Sequence, residues 1–322
     1  MKTKQIITVC LLAAFLAGFG LWSVLRTPDA VSQAERRPLA QRPAFTAAGF
    51  LSGKFSDALD DFAADQFPLR EQLRTLRSLV SYDVMGQRDV NGVYLSQGYA
   101  AKLDFPLNTT SVERAADRFR YVYDTYLSGT DTKVYLSVIP DKGYFMAPSS
   151  GRPSMDYDAL VSQLRESTPY MTYIDLFDLL TIDDYYRTDA HWRQERLEPV
   201  ARRTTAPTAA CRVTNSEPGK TGPVYDLDKA TGSDPYELFL SGSVSLLTVD
   251  NPNARTDREL VIFRNSFGSS LAPLLLEGYS RVTLVDIRYL SPSQLGNFLT
   301  FDRQDVWFLY SASVLNNSST LK

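Results

Sequence analysis

The chain has one histidine, His191, in the run TDAHW, and Asp189 stands two residues before it. An aspartate at that spacing can reach back to one imidazole nitrogen, fixing the tautomer and supporting a positive ring, while the other nitrogen faces outward as a base. Later, LVIFRNSFGSSLAPLLLEG puts Ser266 just after an apolar strand-like run and just before a helical run carrying Leu271, Leu274 and Leu275 on one face. A serine in a strand-turn-helix position projects from a tight turn, with Gly268 relieving crowding. The backbone N–H groups that follow, from Phe267 onward, point at the space where an oxyanion would develop. With a single histidine available, a nucleophilic serine here has His191 as its base. On its own, Ser266 or Ser269 also reads as a helix N-cap, the commoner use of serine at such a place, and Asp189 reads as a cap as well. His191 then reads as a partly exposed ring packed beside Trp192.

Other residues are candidates for contacting a substrate or an oxyanion. Tyr186, Arg187 and Trp192 flank the Asp-x-His pair, Lys142 and Tyr144 follow an apolar strand, and Arg264 and Asn265 precede Ser266. Aromatic rings and cations suit sugar faces and uronate carboxylates, although Trp192 and Tyr144 equally suit a core and Arg264 a structural ion pair. A metal is not expected, because Asp-x-His offers two ligands and there is no second histidine or thiolate cluster to complete a zinc set. No cofactor is expected either.

The elements that must position these residues follow from periodicity. Phe55, Leu59 and Phe62 recur at helical spacing, as do Leu69, Leu73, Leu76 and Val80, so two helices flank the Phe67-Pro68 break. After a β-like stretch from Val90 to Ser96, Glu113 to Leu127 reads as a helix and Lys133 to Pro140 as a buried strand stopped by proline. A helix near Tyr157 to Glu166 leads to a short strand from Met171 to Leu176. Further strands are expected at 260–263, 281–287 and 306–310, with helices between them. Strands that are continuous apolar runs and alternate with helices predict a three-layer α/β domain with a mostly parallel sheet. In such a domain reactive groups gather at the C-terminal strand ends. Thr188 or Asp189 is expected to cap a helical segment with His191 in its first turn. Thr204 to Gly232, rich in Thr, Ala, Pro and Gly with neither period, reads as an irregular insertion, a solvated loop rather than a lid.

The ends of the chain and its composition bound the setting. Lys2 and Lys4 precede an apolar run from Ile6 to Leu25, long enough to cross a bilayer, and the charge balance puts the N-terminus inside and the body outside the cytoplasm. A membrane anchor over 1–25 is favoured over a cleaved signal peptide by the run's length and by the lack of a clear small-x-small site, although the latter would give a secreted protein. Residues 26–44 read as a linker and 45–322 as one α/β domain. At 322 residues with 44% hydrophobic and 12% aromatic residues the chain buries a core, and a net charge of −3 gives no reason to expect nucleic acid. Cys10 lies in the apolar run and Cys211 in the body, so no disulfide framework exists.

YYRTDAHW, FRNSFGSSLAPLL and the upstream DQFPLR together resemble the bacterial DHHW proteins, which are similar to the SGNH-hydrolase-like alginate acetylation proteins AlgX and AlgJ. The resemblance runs from about Phe45 to the C-terminus and implies an SGNH-like fold with Asp189, His191 and Ser266 as a triad, in that permuted chain order. It also implies extracytoplasmic O-acetyl transfer to, or removal from, a cell-surface polysaccharide, beside a membrane-bound O-acyltransferase as partner. Two positions depart from the family pattern: Ala190 replaces the usual second residue of DHHW, and Asn265 stands where an acidic residue often precedes the serine. Asn265 keeps an amide able to donate toward an oxyanion. These departures leave open a non-catalytic glycan-binding or scaffold subunit of an acetylation complex.

Overall fold

The computed structural model describes residues 3–32, 37–202, 212–215, 220–232, 234–240, 242 and 244–322. The chain forms two compact units, Met1–Val90 and Asn91–Lys322. In the first, an uninterrupted helix spans Thr3–Leu25, and its apolar window Thr3–Ser23 has none of its length buried in protein. Helices Lys54–Asp65 and Arg70–Leu79 flank Phe67-Pro68 as the periodicity predicts. Sequence grouped these two helices with the α/β domain; the unit that holds the sheet starts instead at Asn91. Of their side chains only Phe62 is buried.

The second unit is built around an eight-stranded sheet. In chain order, a hairpin pairs β1 (Val93–Ser96) with β2 (Tyr99–Lys102), and the sheet takes β3 (Lys133–Ile139), β4 (Thr172–Tyr173), β5 (Arg212–Asn215), β6 (Lys220–Gly222), β7 (Leu246–Asp250), β8 (Glu259–Arg264), β9 (Arg281–Val285) and β10 (Asp305–Ser311). Their order across the sheet is β4-β3-β10-β8-β9-β7-β5-β6. The first five are parallel to one another, and the pairings from β9 through β7 and β5 to β6 are antiparallel.

β10, DVWFLYS, is buried at every position, which is why it reads as an unbroken apolar run and sits centrally. Alternation sorts its side chains to two faces. Val306, Phe308 and Tyr310 join Val261 and Phe263 of β8 in one cluster, with Val112 and Phe119 of helix α1 (Thr109–Val122) and Leu160 and Leu164 of α3 (Tyr157–Ser167), α2 being Lys142–Ser150. Trp307 and Leu309 join Leu260 and Ile262 in the other, with Trp192, Leu197 and Val200 of the segment that ends in helix α4 (Glu198–Arg202), and Leu271 and Leu275 of α5 (Gly268–Leu275). The result is the expected three-layer α/β arrangement with a mostly parallel sheet.

Three features differ from the sequence reading. No helix begins at Thr188 or Asp189: His191 lies in a bend closed by a bridge between Tyr185 and Trp192, and the first helical turn comes at Gln194–Arg196. The described part of the Thr204 to Gly232 stretch adds β5 and β6 to the sheet, while 204–211 and 216–219 lie outside the described residues. Strands of three or four residues are too short for a period to show. β7, an antiparallel neighbour of β9, was also not anticipated.

Phe308 has no exposure and lies between Phe263, stacked at 4.6 Å, and Phe119 at 4.9 Å. Phe308→Ala should therefore lower unfolding free energy by roughly 3–5 kcal/mol in urea titrations with an unchanged denaturant slope.

Candidate functional site

The candidate residues lie at or just past the C-terminal ends of the parallel strands β3 and β8, or in the bend at 185–192. β8 ends at Arg264, the three residues Asn265, Ser266 and Phe267 make the turn, and α5 begins at Gly268. The turn is tight: a Cβ on Gly268 would come within 2.8 Å of the Arg264 Cβ, so only glycine fits without displacing that side chain. Ser266 is partly exposed between buried neighbours, and no side-chain oxygen caps α5. Ser266 is thus not spent on capping this helix.

The bend at 185–192 brings His191 to that serine. His191 Nε2 lies 2.7 Å from Ser266 Oγ, and Nδ1 lies 2.5 Å from Asp189 Oδ1. The same carboxylate oxygen accepts the backbone N–H of His191 at 2.9 Å, an Asx-turn that holds the aspartate beside the ring. The imidazole side chain is 13% exposed and the aspartate 30%, so the serine-facing nitrogen is largely shielded while the carboxylate touches solvent. A carboxylate on Nδ1 favours the proton there and leaves Nε2 as an acceptor facing the Ser266 hydroxyl.

Three contacts hold the bend in place. Trp192, fully buried, donates Nε1 to the Phe267 carbonyl at 3.1 Å and to Ser270 Oγ at 2.9 Å, tying the residue after His191 to the start of α5. Tyr236, on the short helical turn Pro235–Leu238, stacks on the imidazole with ring centroids 3.8 Å apart, and its hydroxyl lies 2.6 Å from Ser270 Oγ. Burial pushes the Tyr236 phenol well above its ordinary value, so it stays neutral. Lys142 is buried and donates Nζ to the carbonyls of Tyr186 and Arg187, each at 3.1 Å.

This assigns places to the remaining candidates. Trp192 and Lys142 support the bend, and neither presents its polar atoms to a ligand. Arg264 is completely buried, 3.9 Å from Asp286, and Asp286 is itself held by Arg288; it is an internal cation, not a surface group for a uronate. Asn265 is buried and donates Nδ2 to Ser311 Oγ at 2.9 Å, so its amide faces the end of β10 rather than an oxyanion. The Phe267 ring is buried against His191 and Trp192. Arg187 is exposed, with its guanidinium over the Tyr99 ring, and Tyr186 is half-buried. Tyr144 packs edge-on against Phe145, Tyr157 and Phe177, and no contact joins it to Ser266 or His191 among the described residues. Tyr236 and Ser270 were missed; Tyr236 lies beyond the aperiodic stretch, and no spacing links it to His191.

No protein-family model matches the sequence, and no curated protein matches it. Among solved structures, a DHHW family protein from Eubacterium siraeum is similar at TM-score 0.51 and 16% identity, over 72% of this chain and 95% of that one. Bacillus cereus PatB1, solved alone and with a sulfonyl adduct, is similar at TM-score 0.53 and 14% identity, over 69% of this chain and 96% and 97% of those chains. The O-acetyltransferase domain of Pseudomonas putida AlgJ aligns at TM-score 0.42 and 15% identity, over 70% of this chain and 92% of that one, too loosely to add to the comparison. At these identities the likeness shows a common fold, the three-layer α/β arrangement.

Burial pushes the Lys142 ammonium down to about 8, against the pull of the Asp189 carboxylate that raises it. The folded value lies below the unfolded one, so the folded state binds fewer protons between them and this residue's contribution to stability grows as pH rises from about 8 toward the ordinary lysine range. Urea unfolding at about pH 7 and about pH 10 should show the wild type gaining on the order of 1–2 kcal/mol relative to Lys142→Met at the higher pH. A pH-independent difference would contradict this.

Proposed function

We propose that this protein is a serine acyl-transfer enzyme that is anchored in the membrane, faces away from the cytoplasm, and moves acetyl groups onto or off hydroxyls of a cell-surface polysaccharide. The observation that carries the reading is the alignment of Asp189, His191 and Ser266 through hydrogen bonds of 2.5 and 2.7 Å beyond the C-terminal end of the interior strand β8. A hydroxyl held at that distance from an imidazole whose far nitrogen is already bound to a carboxylate is set up for deprotonation as it attacks.

Ser266 Oγ attacks the acyl carbonyl carbon while His191 Nε2 takes its proton, and Asp189 supports the imidazolium. The amides of Gly268 and Ser269 are donated within the turn, to Asn265 and Ser266 carbonyls; those of Phe267 and Ser266, for which no backbone acceptor is seen among the described residues, are the donors proposed for the oxyanion. Collapse of the tetrahedral adduct breaks the bond to the leaving oxygen, which receives the proton from His191, and leaves Ser266 acetylated. A sugar hydroxyl or water then attacks in the same way, with His191 again as base. Transfer and hydrolysis share the acyl-enzyme and differ in the second nucleophile.

The polysaccharide, and a membrane-bound O-acyltransferase as the source of the acetyl group, rest on the resemblance of the sequence motifs to alginate acetylation proteins. The location is supported by the exposed apolar helix Thr3–Leu25 with lysines on its N-terminal side. Ala190 is exposed in the bend and makes no part of the hydrogen-bonded chain, so the departure there does not argue for a non-catalytic subunit.

The test is cleavage of an aryl acetate together with labelling by an aryl sulfonyl fluoride. Wild type should turn over the ester and gain one sulfonyl group on Ser266 by peptide mass; Ser266→Ala should lose both. Asp189→Asn should keep the fold and lower kcat by roughly 10³–10⁴-fold. Equal rates in wild type and Ser266→Ala would mean a glycan-binding or scaffold role instead.

A further inference from the structure

Helix Arg70–Leu79, with the two residues that bracket it, carries its apolar residues on one face: a period of 3.6 aligns Leu69, Leu73, Leu76 and Val80. In a soluble unit that face turns inward. Here it turns outward, with Leu69 41%, Leu73 44% and Leu76 55% exposed, while Ser78 on the opposite side is half-buried and Glu71 accepts a hydrogen bond from Ser32 Oγ at 2.9 Å. Arg70 and Arg77 border the leucine row.

The same unit fixes where this face lies. Just before the helix the chain makes an elbow that is clamped to the residues following the apolar helix Thr3–Leu25. Gln66 Oε1 accepts the Asp29 N–H at 2.9 Å, and Gln66 Nε2 donates to the carbonyls of Asp29 at 2.9 Å and Ala40 at 3.1 Å. Asp65 Oδ2 accepts the Ala40 N–H at 2.9 Å. Phe67 stacks on Phe19, centroids 5.5 Å apart and planes 9° apart. Phe19 lies within the span and six residues before its helix ends, about 9 Å along the axis. The ring of Phe67 therefore sits level with the last turns of the span, and Leu69 starts the leucine row two residues later.

We infer that the leucine face of 69–80 lies in the outer leaflet of the same bilayer that Thr3–Leu25 crosses, as an interfacial amphipathic helix. A row of leucines sinks to the boundary between headgroups and acyl chains, and the exposed Arg77 at its border extends to phosphates at the same level, whereas Arg70 is held by Asp65 and Glu71. The inference rests on the uncleaved anchor proposed above. It makes 69–80 a second membrane contact of the unit that holds the anchor.

The full chain, with Cys10→Ala and Cys211→Ala, is spin-labelled at Leu73→Cys, Leu76→Cys or Ser78→Cys and reconstituted in phosphatidylethanolamine and phosphatidylglycerol vesicles. Power saturation then compares collision with oxygen and with a water-soluble nickel chelate. Labels at 73 and 76 should collide several-fold more with oxygen than with the chelate, and the label at 78 should not. Labels at 73 and 76 open to the chelate would overturn the inference, as would labels closed to both reagents, which would mean that protein covers the face, whether a second copy or another partner. Intact mass separates the two readings: a chain lacking the apolar helix overturns the anchor and the inference together, whereas a complete chain without the oxygen preference overturns the inference alone.

Discussion

The site hangs on the buried indole of Trp192. His191 and Ser266 are 75 positions apart, yet their hydrogen bond requires them to meet within a few tenths of an ångström. Trp192 closes that gap by donating to a carbonyl and a hydroxyl at the start of α5, one and four residues past the serine. Both bonds lie out of water, where a lost partner is not replaced by solvent, so the bend cannot drift cheaply. Tyr236 limits tilt of the ring by stacking, and Lys142 holds two carbonyls on the N-terminal side of the bend.

The serine side is rigid for a different reason. Gly268 packs against the stem of Arg264, and the arginine head is shut inside the protein with Asp286, a carboxylate it shares with Arg288. Burial lowers the Arg264 pKa from its ordinary value and Asp286 opposes that fall, which keeps the charge compensated in place. No hydrogen-bond partner meets the nitrogens of Arg264 among the described residues, so Asp286 carries the compensation by charge alone. The turn that presents Ser266 therefore rests on the stem of a buried, charge-compensated arginine.

Strand and helix positions whose side chains repeat over many residues were legible from sequence: β3, β8 and β10 are long apolar runs, and 54–65 and 70–79 keep a helical period. That Asp189, His191 and Ser266 lie together follows an expectation with a chemical reason, since a chain with one histidine offers one candidate base for a serine in a strand-turn-helix position. The short strands β5 and β6 were not legible, because three or four residues carry no period, and β5 joins the sheet through β7, some thirty residues on, with β6 paired to β5 alone.

The sequence by itself determined which groups could serve as nucleophile, base and orienting carboxylate, and that a parallel sheet would place Ser266 at a strand end. Only the tertiary structure decided the rest: that His191 reaches Ser266 from a bend rather than a helix, that Arg264, Asn265, Lys142 and Trp192 turn inward as supports, and that Tyr236 backs the imidazole. Residue type and local spacing fix what a side chain can do, whereas its direction depends on burial and on partners far away in the chain, which no local pattern encodes.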